Sequence, residues 1–129
     1  MKTYKINNPA DLDQFKDDYG YKVEGNLEVD CSLSFIGRLV VSGFLSIEAG
    51  GSIKAGGSIE AGDWIEAGGC CGISAGLQIN CKGVLRYGLK CFAGICAWRE
   101  ISDEEKTITC GKHEGGKVEY GILKETKND

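Results

Sequence analysis

At 129 residues the chain suffices for one domain with a modest core, and a hydrophobic content of 42% argues against a disordered linker despite 20 glycines. The formal net charge of −4 argues against nucleic acid as a partner, because phosphates require a basic face. No stretch has the hydropathy of a signal peptide or a membrane span, so a cytoplasmic protein without membrane contact is expected.

The N-terminal segment 1–20 predicts a strand followed by a helix. The stretch "MKTYKI" is typical of a short strand, and Asn8 is placed to cap a helix that begins at Pro9. Leu12 and Phe15 would form the apolar stripe of that helix. We expect strand and helix together to cover one end of the domain, since an uncovered β-repeat end exposes unpaired backbone groups.

Residues 21–97 alternate strictly between apolar and polar positions. Among the odd-numbered residues of this segment only Asp63 is polar, while the even positions carry the charged side chains. A period of two sustained this far predicts β-structure with one buried face and one solvated face. Asp63 stands where Gly57 stands in the preceding unit, so we interpret it as a corner residue turned to solvent.

A second period of six lies within the alternation. It is plainest in "IEAGGSIKAGGSIEAGDWIEAGG", residues 47–69, and residues 21–97 contain neither Asn-Gly nor Asp-Gly to reverse the chain. A chain that keeps one face inward without reversing winds around an axis. The pattern therefore predicts a mainly β, single-stranded parallel β-helix, with roughly 18 residues per three-sided coil and roughly four coils.

The units "IEAGGS", "IKAGGS" and "IEAGDW" resemble those of hexapeptide-repeat proteins, which form left-handed β-helices. They are equally similar to the bactofilin-like, polymer-forming right-handed β-helices, so the handedness stays open. The resemblance implies a β-solenoid. It also implies two activities: acyl transfer by a histidine that projects from a coil or loop, and end-to-end assembly. Residues 1–112 contain no histidine, which argues against acyl transfer.

The alternation ends after residue 97, and residues 98–129 predict a C-terminal cap. A charged loop, "REISDEEK", precedes "TITC" and "KVEYGIL", which are typical of two strands and are joined by "GKHEGG". We predict a β-hairpin here, which either caps the last coil or pairs with another subunit. The whole chain, 1–129, is then one domain.

The cysteines are interpreted as small buried hydrophobic residues. Their number is odd, no Cys-x-x-Cys pair occurs, and the single histidine lies far from the closest pairs, so neither disulfides nor a metal site nor any cofactor is predicted. Cys70 and Cys96 fall on outward, even positions. The seven are Cys31, Cys70, Cys71, Cys81, Cys91, Cys96 and Cys110.

Large apolar residues at outward positions predict a partner surface, because an aromatic side chain on a solvated β-face has no core to join. Phe44 and Trp64 are 20 residues apart, close to one coil, so they are predicted to be vertical neighbours. The acidic loop is available to a basic partner. The predicted partner-binding residues are Phe44, Trp64, Phe92, Trp98, Asp103, Glu104 and Glu105.

These features favour a non-catalytic module that binds another protein. His113 beside Glu114 could serve as a general base, but a lone histidine in a glycine-flanked turn is interpreted as a solvated loop residue. A small acidic solenoid of this kind suits a phage or mobile-element inhibitor, for example an anti-CRISPR protein, and homodimerisation through the hairpin edge is expected. The alternatives are a bactofilin-like structural polymer and a hexapeptide-type acyltransferase.

Overall fold

The computed structural model describes residues 2–48, 52–67, 73–88, 90–95 and 100–126. These residues form a mainly β structure in which parallel strands stack as a β-solenoid of about four turns. The predicted parallel β-helix is therefore confirmed. No helix in the described ranges is both long and apolar enough to cross a membrane.

Short strands make up the solenoid. In chain order they are β1 (Thr3–Ile6), β2 (Lys16–Asp17), β3 (Gly20–Val23), β4 (Asn26–Val29), β5 (Ser32–Phe35), β6 (Arg38–Val41), β7 (Leu45–Ile47), β8 (Ser52–Ala55), β9 (Ile59–Ala61), β10 (Ile65–Ala67), β11 (Ile73–Ala75), β12 (Ile79–Cys81), β13 (Val84–Arg86), β14 (Lys90–Ala93), β15 (Thr107–Cys110), β16 (Lys112–Glu114), β17 (Lys117–Tyr120) and β18 (Ile122–Glu125). Two 3₁₀ helices, Pro9–Phe15 and Glu104–Lys106, complete the regular structure of the described residues.

The strands form three sheets, one for each side of the solenoid. The first sheet has the order β1-β4-β7-β10-β13-β16, the second β5-β8-β11-β14-β17, and the third β2-β3-β6-β9-β12-β15-β18. From β4 onwards, successive strands therefore visit the first, second and third sheets in turn. Strands β4 to β15 make four such turns, and β16 to β18 stack on the last of them.

The length of a turn differs from the expected value. Ile53 pairs with Ile73 at a separation of 20 residues, whereas Leu27 pairs with Leu45 at the predicted 18. The two extra residues lie between the first and second sheets, where Leu45 and Ile53 are eight positions apart instead of six. The six-residue sequence period therefore does not continue unbroken around the axis.

The core lies inside the solenoid and is built from columns of aliphatic side chains. One column runs through Leu39, Ile59, Ile79 and Ile108, all of which have no exposed surface. No charged side chain is buried anywhere in the described ranges. Asp63 is exposed at a corner, which confirms its interpretation as a corner residue.

Glycines at the corners allow successive turns to approach closely. A Cβ atom on Gly62 would collide with the carbonyl oxygen of Ser42, one turn earlier, and a Cβ atom on Gly76 would collide with that of Gly56. At these two corners glycine is needed because the backbones of successive turns approach too closely to leave room for a side chain.

The N-terminal cap is confirmed, and its helix is a 3₁₀ helix. The helix begins at Pro9, and the Asn8 side chain accepts a hydrogen bond of 3.0 Å from the backbone N–H of Ala10. Leu12 is buried in the core, and Phe15 packs edge-on against Tyr4 with ring centroids 5.0 Å apart. The helix and the antiparallel strand β2 thus cover this end of the solenoid.

The predicted C-terminal hairpin is wrong. Strands β16, β17 and β18 each pair in parallel with the previous turn, through β13, β14 and β15, and lie on three different sheets. Gly115, Gly116 and Gly121 adopt positive φ at the corners, so the chain turns through each corner without reversing. The solenoid therefore continues to Glu125, well beyond the predicted limit at residue 97.

Candidate interaction surface

Two aromatic rings stack on the outer corner where the third sheet leads into the first. Phe44 directly precedes Leu45 and Trp64 directly precedes Ile65, and these two following residues are paired in neighbouring strands. The rings are parallel within 1° and their centroids are 4.3 Å apart. The prediction that Phe44 and Trp64 are vertical neighbours is confirmed. Trp64 retains 36% of its surface exposed.

Neighbouring residues extend this arrangement along the solenoid axis. Val84 begins the next strand of the first sheet and pairs with Lys112 of the last turn. On the other side, the Oδ1 atom of Asn26 accepts a 3.0 Å hydrogen bond from the backbone N–H of Phe44. We call Asn26, Phe44, Trp64, Val84 and Lys112 the aromatic column.

A row of charged side chains runs beside the aromatic column on the first sheet. The Arg86 guanidinium donates to Glu66 at 3.0 Å and to Glu114 at 3.1 Å, bridging three successive turns. The hydrogen bond and charge of Glu114, followed by those of Glu66, raise the pKa of Arg86. Because these side chains are half-exposed, the ion pairs orient Arg86 more than they stabilise the fold.

A depression of ≈ 210 Å³ lies between the column and the charged row, lined by Trp64, Ile65, Glu66, Val84 and Arg86. Pockets for small molecules and cofactors usually enclose about 300–1,000 Å³. The depression is below that range, with apolar walls on one side and an ion pair on the other. Its size and chemistry suit a single side chain of another protein.

The other predicted partner-binding residues that the structure describes lie apart from the aromatic column. Phe92 is half-buried on the second sheet, paired with Ser74 and Tyr120. Trp98 lies outside the described residues. Of the three predicted aromatic residues that the structure describes, it joins Phe44 and Trp64 and places Phe92 on a different sheet.

The acidic residues Asp103, Glu104 and Glu105 lie in the loop that leads to β15 and its short 3₁₀ helix. The carboxylate of Asp103 is 3.4 Å from the ammonium group of Lys106. Glu105 accepts a 3.1 Å hydrogen bond from the backbone N–H of Ser102. Part of this acidic charge is thus already engaged within the loop.

His113 is not the solvated loop residue that was predicted. It lies in β16, pairs with the fully buried Leu85, and is half-buried at the end of an inward column. Its Nε2 atom is 2.6 Å from the hydroxyl oxygen of Tyr87, whose side chain is buried. The neighbouring Glu114 is bound to Arg86, so the candidate base and its carboxylate have separate partners.

Three cysteines line the C-terminal half of the core, as the interpretation of small buried residues predicted. Burial raises the pKa of Cys81 to about 12, that of Cys91 to about 12 and that of Cys110 to about 11, which keeps these thiols protonated at neutral pH. All described cysteines are free, and no metal-binding group of three or more His, Cys, Asp or Glu side chains occurs in the described ranges. The remaining cysteines lie outside those ranges: Cys70, Cys71 and Cys96.

A second exposed apolar site lies near the N-terminal end, where Ile36 and Tyr19 line the same depression. Ile36 is 93% exposed and occupies an outward, even position. Tyr19 is 73% exposed, and the Arg38 guanidinium lies over its ring at 5.5 Å while pairing with Asp17 at 3.0 Å. Tyr19 precedes the alternating segment, so no periodic signal marked it.

Comparisons of the chain with models of protein families, with curated proteins and with solved structures find no match. The chain is therefore classed by its architecture, as a β-solenoid with a covered N-terminal end and an outward aromatic column.

Proposed function

We propose that the chain is a non-catalytic protein-interaction module in which the rigid solenoid presents the aromatic column to a partner protein. The observation that carries this proposal is the stacked pair Phe44 and Trp64 on the outer corner, where no other part of the described chain covers the exposed side of Trp64. Tryptophan and other large aromatic residues dominate the binding energy of protein interfaces.

The rigidity of the corner supports the same proposal. The strands before and after Phe44 and Trp64 pair in parallel, and the Asn26 side chain additionally accepts a hydrogen bond from the backbone of Phe44. A surface that is already ordered loses little conformational entropy on binding. A solenoid corner is thus a more favourable anchor than a loop would be.

The chemistry of the depression indicates what the partner presents. Trp64 and Val84 offer an apolar wall, and the Arg86–Glu66 ion pair forms the polar rim. We expect the partner to insert an apolar side chain and to place hydrogen-bonding groups over the ion pair. Inhibition of a host complex, such as a CRISPR effector, by a phage or mobile-element protein is one form that this activity would take.

The state of His113 also supports a non-catalytic role. Its imidazole is hydrogen-bonded to Tyr87, and Glu114 is bound to Arg86, so neither is arranged as a base with an orienting carboxylate. If His113→Ala alone abolished the biological effect while the protein stayed folded and kept its partners, the proposal would be wrong.

Affinity purification with quantitative mass spectrometry tests the proposal. The baits are the wild-type chain, the double variant Phe44→Ala, Trp64→Ala, and Phe92→Ala as a matched outward aromatic on a different sheet. We expect the double variant to lose a specific partner that both other baits retain. Recovery of the same partners at the same yield by all three folded baits would exclude the aromatic column as the binding site.

A further inference from the structure

The last turn of the solenoid has unpaired strand edges. Strands β16, β17 and β18 are the final strands of the first, second and third sheets, and no described strand pairs with their outer edges. The backbone N–H of His113 is held by the carboxylate of Glu125 at 3.0 Å, a contact within the same turn. A row of unpaired N–H and C=O groups is a template for pairing with another chain.

Apolar side chains of this turn are also left uncovered. Leu123 pairs with Ile108 and continues its inward column, yet Leu123 is 37% exposed whereas Ile108 is fully buried. Tyr120 and Ile122 are 48% and 42% exposed. No strand of the described residues lies over Leu123, and a turn supplied by another molecule would bury it.

The opposite end of the solenoid cannot supply that turn. There the 3₁₀ helix Pro9–Phe15 buries Leu12 in the core, and β2 runs antiparallel to β3. Head-to-tail stacking would therefore bring the open end of one molecule against the covered end of the next. Only two open ends can pair without displacing the cap, and such an interface closes after two subunits.

The charges of the last turn are compatible with a second copy of the same surface. Although the chain carries a net charge of −4, the last turn has equal numbers of positive and negative side chains. A two-fold interface must place a surface against itself, which a strongly charged surface would oppose. The charged residues are Lys112, Glu114, Lys117, Glu119, Lys124 and Glu125.

We propose that the last turn is a homodimer interface, in which β16, β17 and β18 pair with the same three strands of a second copy. The two-fold axis is perpendicular to the solenoid axis. Because such an axis reverses the strand direction, the pairs across the interface are antiparallel. The two lumens then join into one continuous core with a covered cap at each end.

Sedimentation velocity at concentrations from about 1 to about 100 μM tests this assembly. We expect the wild-type chain to approach twice its mass of 13.8 kDa and to stop there. Leu123→Lys and Tyr120→Lys, on two different strands, should each raise the dimer dissociation constant at least about tenfold. Ile36→Lys, the same kind of change on an exposed apolar residue far from the last turn, should dimerise like wild type.

Three results would overturn the proposal: a wild-type monomer at every concentration, unchanged dimerisation of both interface variants, or species that grow beyond the dimer. Far-UV circular dichroism identifies any variant that has lost its β-structure. Because the two interface variants lie on separate strands, the test remains valid if one of them does not fold. The test is independent of the aromatic column, because the double variant Phe44→Ala, Trp64→Ala should dimerise like wild type.

Discussion

The rings of Phe44 and Trp64 lie parallel at 4.3 Å although the residues are 20 positions apart, one full turn of the solenoid. Aromatic pairs contribute about 0.5–1.5 kcal/mol beyond the surface they bury. We expect a double-mutant cycle with Phe44→Ala and Trp64→Ala to show a coupling free energy of this size in urea unfolding. Pairing Phe44→Ala with the distant Phe92→Ala should instead give additive losses. Additivity in both cycles would show that the stack does not contribute to stability.

Ile53 and Lys54 are adjacent residues on opposite faces of β8. Ile53 is 1% exposed and Lys54 is exposed, so the same new side chain tests both faces. Ile53→Asp should cost several kcal/mol and leave little folded protein, because it buries an unpaired carboxylate. Lys54→Asp should change the free energy of unfolding by about 0.5 kcal/mol or less. Both are measured by urea denaturation, and equal tolerance would refute the assignment of inward and outward faces.

Gly56 and Gly76 occupy the same corner in successive turns. A Cβ atom on Gly76 would collide with the carbonyl oxygen of Gly56, whereas one on Gly56 would lie at an ordinary contact distance of 3.4 Å from Ile36. Gly76→Ala should therefore lower the free energy of unfolding by about 1–3 kcal/mol. Gly56→Ala should stay within about 0.5 kcal/mol of wild type. Thermal and urea unfolding distinguish the two, and similar losses would contradict the close approach at Gly76.

The buried thiols predict a loss of stability in alkali. Burial raises the pKa of Cys91 from 9.0 to about 12 and also raises that of Tyr87, so the folded state holds protons that the unfolded state releases. The contribution of these protonated groups to the free energy of unfolding is complete below about pH 9, the pKa of the thiol in the unfolded chain. It is lost as the pH rises towards 12. The urea midpoint of the wild-type chain should fall over that pH range. The midpoint of Cys91→Ala should fall less steeply, because one of the buried thiols is missing. A midpoint independent of pH above 9 would contradict the burial of these groups.

Thiol labelling of the native protein checks the same burial by another route. Cys81, Cys91 and Cys110 should react slowly at pH 8, because the thiolate is the reactive form and burial disfavours it. Cys70 and Cys96, which fall on outward positions of the sequence pattern, are predicted to react first. Mass spectrometry of peptides from partly labelled protein reports the order, and early labelling of Cys91 would contradict the structure.

The contact between Tyr87 and His113 predicts a structural role for the histidine. His113→Ala leaves the buried Tyr87 hydroxyl without this partner, which should cost about 1–3 kcal/mol. Tyr87→Phe removes the hydroxyl itself. The double variant Tyr87→Phe, His113→Ala should therefore lose less free energy of unfolding than the sum of the two single variants. Urea unfolding gives all four free energies. A strictly additive double variant would show that the 2.6 Å contact contributes nothing to the fold.

Much of the solenoid was predictable because β-alternation is a local property of the backbone. Successive side chains of a strand point to opposite faces, so the apolar odd positions identified the core columns through Ile53, Ile59 and Ile65. The vertical proximity of Phe44 and Trp64 was predicted from a spacing close to one turn, and the cap beginning at Pro9 was predicted from Asn8. Each of these features depends on neighbours in the sequence or on one repeat length.

The direction of the last strands depended on tertiary structure instead. A glycine-rich link such as the one around Gly115 permits both a reversal and a corner. The chain takes the parallel path, in which the partly buried Val118 pairs with Cys91 of the previous turn. The contact of His113 with Tyr87 has the same origin, since it joins residues 26 positions apart that meet only when the chain completes that turn. Local patterning thus determined which side chains face inward, whereas the closing of each turn over the preceding one decided which strands pair and which ends stay open.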